Sequence, residues 1–443
     1  MLGEWKRTHY SKEITTDLDG DVVIVMGWAR ALRGGGSLKF IELADRDGSI
    51  QITAKKGDVS DRLMKEVSEL GREDVLAVKG TVKRNDEAPG GIEIIPQEIR
   101  VLSKSHTPLP LEVVTKKTPA ELTTRLDARF IDLRKPEIAA IFSIKDAVTS
   151  AVRNFFEKNR FIEIHTPKII AEASEGGAEV FEVKYFDRAA YLAQSPQFYK
   201  QMMMASKFDR VYEMAPAFRA EKSRTRRHVA EILMLDIEMA FINGVEDVIN
   251  MVEKMMISVY EFIIKNEKDS LEILSKKLEV PRTPFPRVSM EEAKRLLKER
   301  GLEYSPDDEL DTAGEKALGE IIKEKTGHDF VFLTKFPWTH AKFYHMQNQD
   351  DPKTANRCDL IFKGSEIATI TQREHRYDKL MEQVESQDVN PKKIEFYLNS
   401  FKYGMPPHGG AGIGIDRIVQ QLLDLSNIQE AVLFPRTPER ITP

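Results

Sequence analysis

Apolar and polar positions alternate through the first hundred residues. The stretches DVVIVMGWARAL, SLKFIELADRDGSIQITAKKG, EDVLAVKGTVKRND and IEIIPQEIRVL are rich in Val and Ile and read as strands with one buried face. Gly34-Gly35-Gly36, Asp47-Gly48 and Pro89-Gly90-Gly91 punctuate them as hairpin and loop signals. One helical pattern, DRLMKEVSEL, falls between the middle strands. Five strands with a helix after the third predict a small Greek-key barrel of the OB type over residues 1–104, a generic β-domain being the plainer alternative. On alternation alone Phe40 is a core residue of that barrel.

The pattern then changes. Residues 103–122 hold three prolines and little periodicity, so a linker or hinge is expected, set at 105–130. Apolar residues at three and four spacings predict helices at IAAIFSIKDAVTSAVRNFFEKN, VEDVINMVEKMMISVYEFIIKN, MEEAKRLLKERG and IVQQLLDLS. Between them lie extended segments, FIEIHTPKII, AEVFEVKYF, RVYEMAPAFRA, EILMLDIEMAFI, DFVFLTKFPW, RCDLIFKGSEIATITQRE and GGAGIGID. Strands separated by long helical insertions, without strict β-α-β alternation, predict an α+β domain on a mostly antiparallel sheet over residues 131–443.

Composition narrows the function classes. The 443 residues include one cysteine, Cys358, which excludes an intramolecular disulfide framework and any Cys-rich zinc or iron–sulfur site. No run of about 18 uncharged apolar residues exists, so no membrane span is expected. The opening MLGEWKRTHYSKEITTDLDG lacks an apolar stretch, so no signal peptide is expected and a cytoplasmic protein is. Lys+Arg 66 against Asp+Glu 71 gives a net charge of −5, which offers no global sign of a nucleic-acid partner. Residues 1–104 are near neutral, with 17 Lys+Arg and 18 Asp+Glu, whereas residues 219–228 hold five Lys/Arg and one acid.

That basic run, Phe218-Arg219-Ala220-Glu221 followed by Lys222, Arg224, Arg226, Arg227 and His228, suits a polyanion because guanidinium forks pair phosphate oxygens. A solvated hairpin is the plain alternative. Gly410, Gly412 and Gly414 recur every second residue, which strips one face of a strand so that a flat ligand can reach the backbone. Arg417 follows where the next helix begins. Asp359 and Glu366 are seven apart and cannot share a face of one flat strand, but a turn at Lys363-Gly364 would fold them onto one site. Two carboxylates beside phosphates suggest Mg²⁺; exposed acids are the alternative.

The order of these pieces resembles the three motifs of the class II aminoacyl-tRNA synthetases: a proline in FIEIHTPKI, then FRAE with its basic loop, then GIGIDR before a helix. An N-terminal OB barrel is similar to the aspartate, asparagine and lysine subgroup, and QSPQFYKQ with YGMPPHGGAGIGIDR looks like the aspartyl enzymes of the compact archaeal and eukaryotic type. The resemblance covers essentially the whole chain. It implies an ATP- and Mg²⁺-dependent ligase that activates aspartate and transfers it to tRNA, working as a homodimer. Arg219 would grip the α-phosphate and Arg417 the γ-phosphate and adenine, these two being the catalytic pair. Glu221, Arg227, His228, Glu366, Gly412 and Gly414 would complete the ATP site, and Asp359 with Glu366 would hold the metal. Lys200 and Arg373 would pair with the substrate's side-chain carboxylate, Asp236 would position Lys200, and Glu175 and Gln197 would sit at the ammonium end. Phe40 would stack on an anticodon base, with Arg30, Gln51 and Pro89 beside it. Pro167 would lie in the dimer interface.

Three stretches depart from the aspartyl pattern. The loop Lys222–Arg227 and Ala341-Lys342-Phe343-Tyr344 read more like asparaginyl enzymes. Ala368-Thr369-Ile370-Thr371 stands where the family usually has glycines, and β-branched side chains there are expected to crowd the substrate. Ile232 replaces an aromatic against adenine. An asparagine–tRNA ligase and a non-catalytic tRNA-binding paralogue are therefore the alternatives. Pro89 suggests an enzyme that also charges asparagine tRNA.

Overall fold

A computed structural model describes residues 2–114, 120–172, 179–221 and 226–443. The backbone forms two compact units, Met1–Pro136 and Glu137–Pro443.

In the first unit, β1 (Val22–Gly35), β2 (Leu38–Ala44), β3 (Ser49–Lys55), β4 (Val75–Arg84) and β5 (Ile92–Ser103) close a barrel in the order β1-β2-β3-β5-β4. The helix Asp61–Ser68 follows the third strand, capped by Ser60, whose hydroxyl accepts from the Leu63 amide. Inward residues such as Val23, Val25, Ile41, Leu43, Ile52, Leu76, Val78 and Ile94 bury completely or nearly so, and closure leaves no sheet edge exposed. The expected OB barrel is observed. Phe40 is not part of its core: it is only partly buried and pairs with Thr53, on the face opposite the buried Ile41. Period-two alternation cannot tell which face of a strand turns inward when both carry apolar residues.

After the barrel, Leu111 and Val113 pack on Ala128 and Ile131. Asp132 accepts from Arg125, Arg129 and Lys135 close by. The described part of the expected linker is thus folded onto local helical turns. Its prolines break periodicity without preventing burial.

The second unit carries an eight-stranded sheet. Its strands are β6 (Ile162–Glu163), β10 (Arg210–Phe218), β11 (Glu231–Ala240), β12 (Arg287–Ser289), β13 (Phe330–Pro337), β14 (Thr354–Phe362), β15 (Ser365–Gln372) and β16 (His408–Gly414), ordered β12-β13-β14-β15-β16-β11-β10-β6. Only the edge pairings, β12 with β13 and β6 with β10, are parallel. A small sheet of β7 (Ile169–Ile170), β8 (Glu182–Tyr185) and β9 (Arg188–Leu192) stands apart. The helices Pro136–Lys158 and Val245–Asn266 bury continuous apolar stripes, as their spacing predicts. Helices at Gln197–Met204, Thr312–Thr326, Tyr377–Ser386 and Glu395–Lys402 lie outside the patterns read from sequence. No helix among the described residues is long and apolar enough to cross a membrane.

Candidate active site

The centre of the sheet is β15-β16-β11, and four of the seven residues of β16 are glycine. Gly410 opposes Glu238 on one side and Thr371 on the other; Gly412 opposes Asp236 and Thr369; Gly414 opposes Met234. The Gly412 and Gly414 rows, with Thr371, floor a cavity of about 270 Å³. The glycines do different work. A methyl at Gly410 would sit 2.1 Å from both the Glu238 carboxylate and the Ile237 carbonyl. At Gly412 it would meet nothing nearer than Met234 Cε at 3.5 Å, so there the glycine leaves space open above the backbone.

Near Gly414 the cavity is lined by arginines and their carboxylates. The antiparallel pair β10–β11 carries the basic loop at its tip, closed at its base by Arg219 N–H donating to the Ala230 carbonyl at 2.9 Å. Arg219 Nη1 lies 3.8 Å from Glu221, and Glu221 lies 3.5 Å from His228 Nε2. Arg417, in the helix Ile415–Leu422, donates to the Glu366 carbonyl at 2.9 Å and approaches the Glu366 carboxylate at 3.6 Å. Arg227 donates to Glu315 at 2.9 Å and to the Gly364 carbonyl at 3.0 Å. Burial, with Arg417, Arg227 and Arg219 acting the same way, holds the His228 imidazole below its ordinary value against the pull of Glu221. Loop residues 222–225 lie outside the described residues.

The turn expected at Lys363-Gly364 exists, both residues having positive φ, and it sets Asp359 on β14 opposite Thr369 on β15. Neither acid is the exposed group that composition suggested. Asp359 is buried and takes two bonds from Arg357, while Glu366 accepts from the Thr369 hydroxyl at 2.8 Å. Burial pushes the Asp359 carboxyl up to about 7 although Arg357 opposes it. Burial disfavours Glu366 ionisation too, but Arg417, Thr369 and Arg357 outweigh it and hold Glu366 below the usual range. No group of three or more His, Cys, Asp or Glu side chains is placed to hold a metal ion among the described residues.

Beside Gly410 and Gly412 the lining is buried and ionic. Lys200 Nζ donates to Asp236 at 2.8 Å and to the Ala411 carbonyl at 3.1 Å. Arg373 donates through Nε and Nη2 to Glu238 at 3.1 and 3.3 Å. All four side chains are nearly inaccessible. The two cations expected to face a substrate carboxylate are thus each matched within the protein, Lys200 by the expected Asp236 and Arg373 by Glu238, which spacing alone gives no means of finding. Gln197 donates to Gln201, which also meets Tyr397 and His408. Glu175 lies outside the described residues.

The segment Ala368–Thr371 does not crowd the cavity as a block. Ala368 and Ile370 turn into the core, and only Thr369 and Thr371 line the cavity. Ile232 lines it as well.

On the barrel, Gln51 lies beside Phe40's neighbour Thr53 and donates to Glu93 at 3.2 Å. Arg30 is half-buried at the bulge of β1, and Pro89 is exposed in a 3₁₀ turn between β4 and β5. Pro167 is exposed, and Glu213 anchors its neighbours through the Thr166 amide and hydroxyl, both at 2.7 Å, and Lys168 at 2.8 Å. Sequence reasoning missed Glu213, Glu238, Glu315 and Arg357, all of which act by holding another functional group.

Residues 121–438 match the class II tRNA synthetases, and residues 23–102 match the OB-fold nucleic acid binding domain. The chain therefore belongs to the class II tRNA synthetases, in the group for aspartate, lysine and asparagine (D, K and N). It is 48% identical over 437 residues to the aspartate–tRNA(Asp) ligase of Thermococcus kodakarensis, covering 99% of this chain and all of that one. It is 46% identical over 443 residues to the aspartate–tRNA(Asp/Asn) ligase of Methanothermobacter thermautotrophicus, covering both chains in full. Among solved structures, the asparaginyl-tRNA synthetase of Pyrococcus horikoshii complexed with asparaginyl-adenylate superposes with a TM-score of 0.91 at 31% identity, over 99% of this chain and 100% of that chain.

Proposed function

We propose that the chain is an aspartate–tRNA ligase. It joins aspartate to ATP as aspartyl-adenylate, releases pyrophosphate, and transfers the aspartyl group to the 3′ end of tRNA. The observation that carries this reading is the separation of two charged ends along one glycine strand. The buried Lys200–Asp236 and Arg373–Glu238 pairs stand at Gly410 and Gly412, while Arg417 stands at Gly414. Gly410 and Gly414 are about 13 Å apart along an extended strand.

Attack of the substrate carboxylate on the α-phosphorus needs alignment and charge neutralisation, so no protein base is required. Arg219 and Arg417 supply the neutralisation, with Arg227 and His228 beside the terminal phosphates. Glu221 orients Arg219 and His228. Asp359 and Glu366 offer hard oxygen donors that suit Mg²⁺ together with phosphate oxygens, and they are the residues that would hold it. Bound there, Mg²⁺ would offset phosphate charge. Lys200 and Arg373 hold the substrate's side-chain carboxylate and Gln197 its ammonium end. The barrel binds the anticodon through Phe40, Arg30, Gln51 and Pro89. Two copies pair through the exposed Pro167 segment, flanked by half-exposed Ile162 and Ile169. The reaction belongs to the cytoplasm, where tRNA is used. Relatives at 44–48% identity bear aspartate names, which supports aspartate over asparagine.

Aspartate-dependent ATP–pyrophosphate exchange tests the reading, with asparagine as comparator. Exchange with aspartate is expected; none with aspartate defeats the proposal. Lys200→Ala is expected to raise the aspartate requirement far more than the ATP requirement. The exposed Pro89 turn favours a wider tRNA choice, and charging of purified asparagine tRNA alongside aspartate tRNA decides it.

A further inference from the structure

Thr371 is set apart from every other residue lining the amino-acid end of the cavity. It is 1% exposed, and its hydroxyl oxygen has no hydrogen-bond partner among the described residues. Leaving a buried hydroxyl unpaired is costly, and valine would fill the same volume without that cost. Thr369, two residues earlier on the same face, shows the usual resolution: its hydroxyl is tied to Glu366. Thr371 has no such tie.

Its position says what the hydroxyl can reach. Thr371 opposes Gly410, which itself opposes Glu238, so one row across the sheet runs Glu238, Gly410, Thr371. Glu238 leans over Gly410 to meet Arg373, which follows Thr371 by two residues on the same face. Thr371 and Arg373 both line the cavity there, so the side chain stands at the guanidinium end of the pocket. The charges there already balance, Lys200 against Asp236 and Arg373 against Glu238, and Glu238 occupies Nε and Nη2 of the guanidinium. An entering carboxylate has about four acceptor sites and gains from a donor that adds no charge.

We propose that Thr371 is a substrate-binding residue, its hydroxyl donating a hydrogen bond to the side-chain carboxylate of aspartate. This rests on the aspartate reading above. The test uses the full chain in ATP–pyrophosphate exchange, with Thr371→Val to remove the hydroxyl at constant shape and Thr371→Ser to keep it. Thr371→Val is expected to raise KM for aspartate about tenfold or more, because a hydrogen bond to a charged group is lost. KM for ATP stays within about twofold, and Thr371→Ser stays near wild type. The melting temperature of Thr371→Val is expected to equal or exceed that of wild type, since an unpaired buried hydroxyl has gone. An unchanged aspartate KM in Thr371→Val overturns the proposal, and so does an equal rise for both substrates or a serine variant as impaired as valine. Wild-type protein inactive with aspartate would instead defeat the underlying functional reading, before any variant is compared.

Discussion

His408 shows how its surroundings fix the protonation of a single buried residue. Its Nδ1 donates to the Pro406 carbonyl at 2.8 Å, and its Nε2 lies 3.1 Å from Gln201 Nε2. Gln201 Oε1 already accepts from Gln197 and Tyr397, so its amide nitrogen faces the ring and Nε2 is the acceptor. That assignment requires a neutral imidazole. Burial pushes its pKa down to about 4, with Glu238 pulling only partly the other way. Below about pH 6.5 the unfolded chain therefore takes up a proton that the folded chain refuses, and stability falls as pH drops from 6.5 toward 4. Thermal denaturation at pH 7 and pH 5 should show a smaller loss in His408→Gln than in wild type. Equal losses would mean that this histidine is not held neutral. The residue scale also explains the missed groups. Lys200, Arg373 and Asp359 are named by their place in motifs, whereas Glu238 becomes functional by meeting Arg373 across the sheet and Arg357 by bracing Asp359 two residues along the same strand.

Among the elements, β16 is the one whose pattern was most informative and least complete. Alternating glycines announce a strand bare on one face, but they do not say which glycine makes room for a ligand and which for the protein. Gly410→Ala would drive a methyl into Glu238 and the Ile237 carbonyl. It should cost about 1–3 kcal/mol of stability, seen as a lower melting temperature. Gly412→Ala has ordinary clearance and should leave the melting temperature nearly unchanged while raising substrate KM values. The reverse pattern would exchange the roles assigned to the two positions. The helix Gln197–Met204 was illegible for a related reason: its buried residues include Gln197, Lys200 and Gln201, so apolar periodicity does not mark its inward face. Long helices such as Val245–Asn266 were legible because their buried stripe is apolar at every position but Glu253.

For the whole molecule, each unit has its own core and its own proposed task, and these tasks can be separated experimentally. Phe40→Ala on the barrel should reduce tRNA charging about tenfold, in line with a base–aromatic stack of about 1–3 kcal/mol, while aspartate-dependent exchange stays at the wild-type rate. A variant equally slow in exchange would show that Phe40 supports folding instead. Net charge was the wrong quantity for recognising the tRNA partner. It averages over a near-neutral barrel and a loop with five cations in ten residues.

The chain's own order of residues determined the two-part architecture, the OB barrel, the long helices, the β10–β11 hairpin and the motif residues Arg219, Lys200, Arg373 and Arg417. These depend on period, turn chemistry and local spacing, which are written along one dimension. Tertiary structure alone decided that Phe40 faces outward, that Arg373 carries a buried counter-ion in Glu238, that Thr369 is tied while Thr371 is spare, and that Gly410 and Gly412 serve different neighbours. All depend on strand register, and most on partners far apart in sequence. Register is set by the burial of whole sheets, and no local pattern contains it.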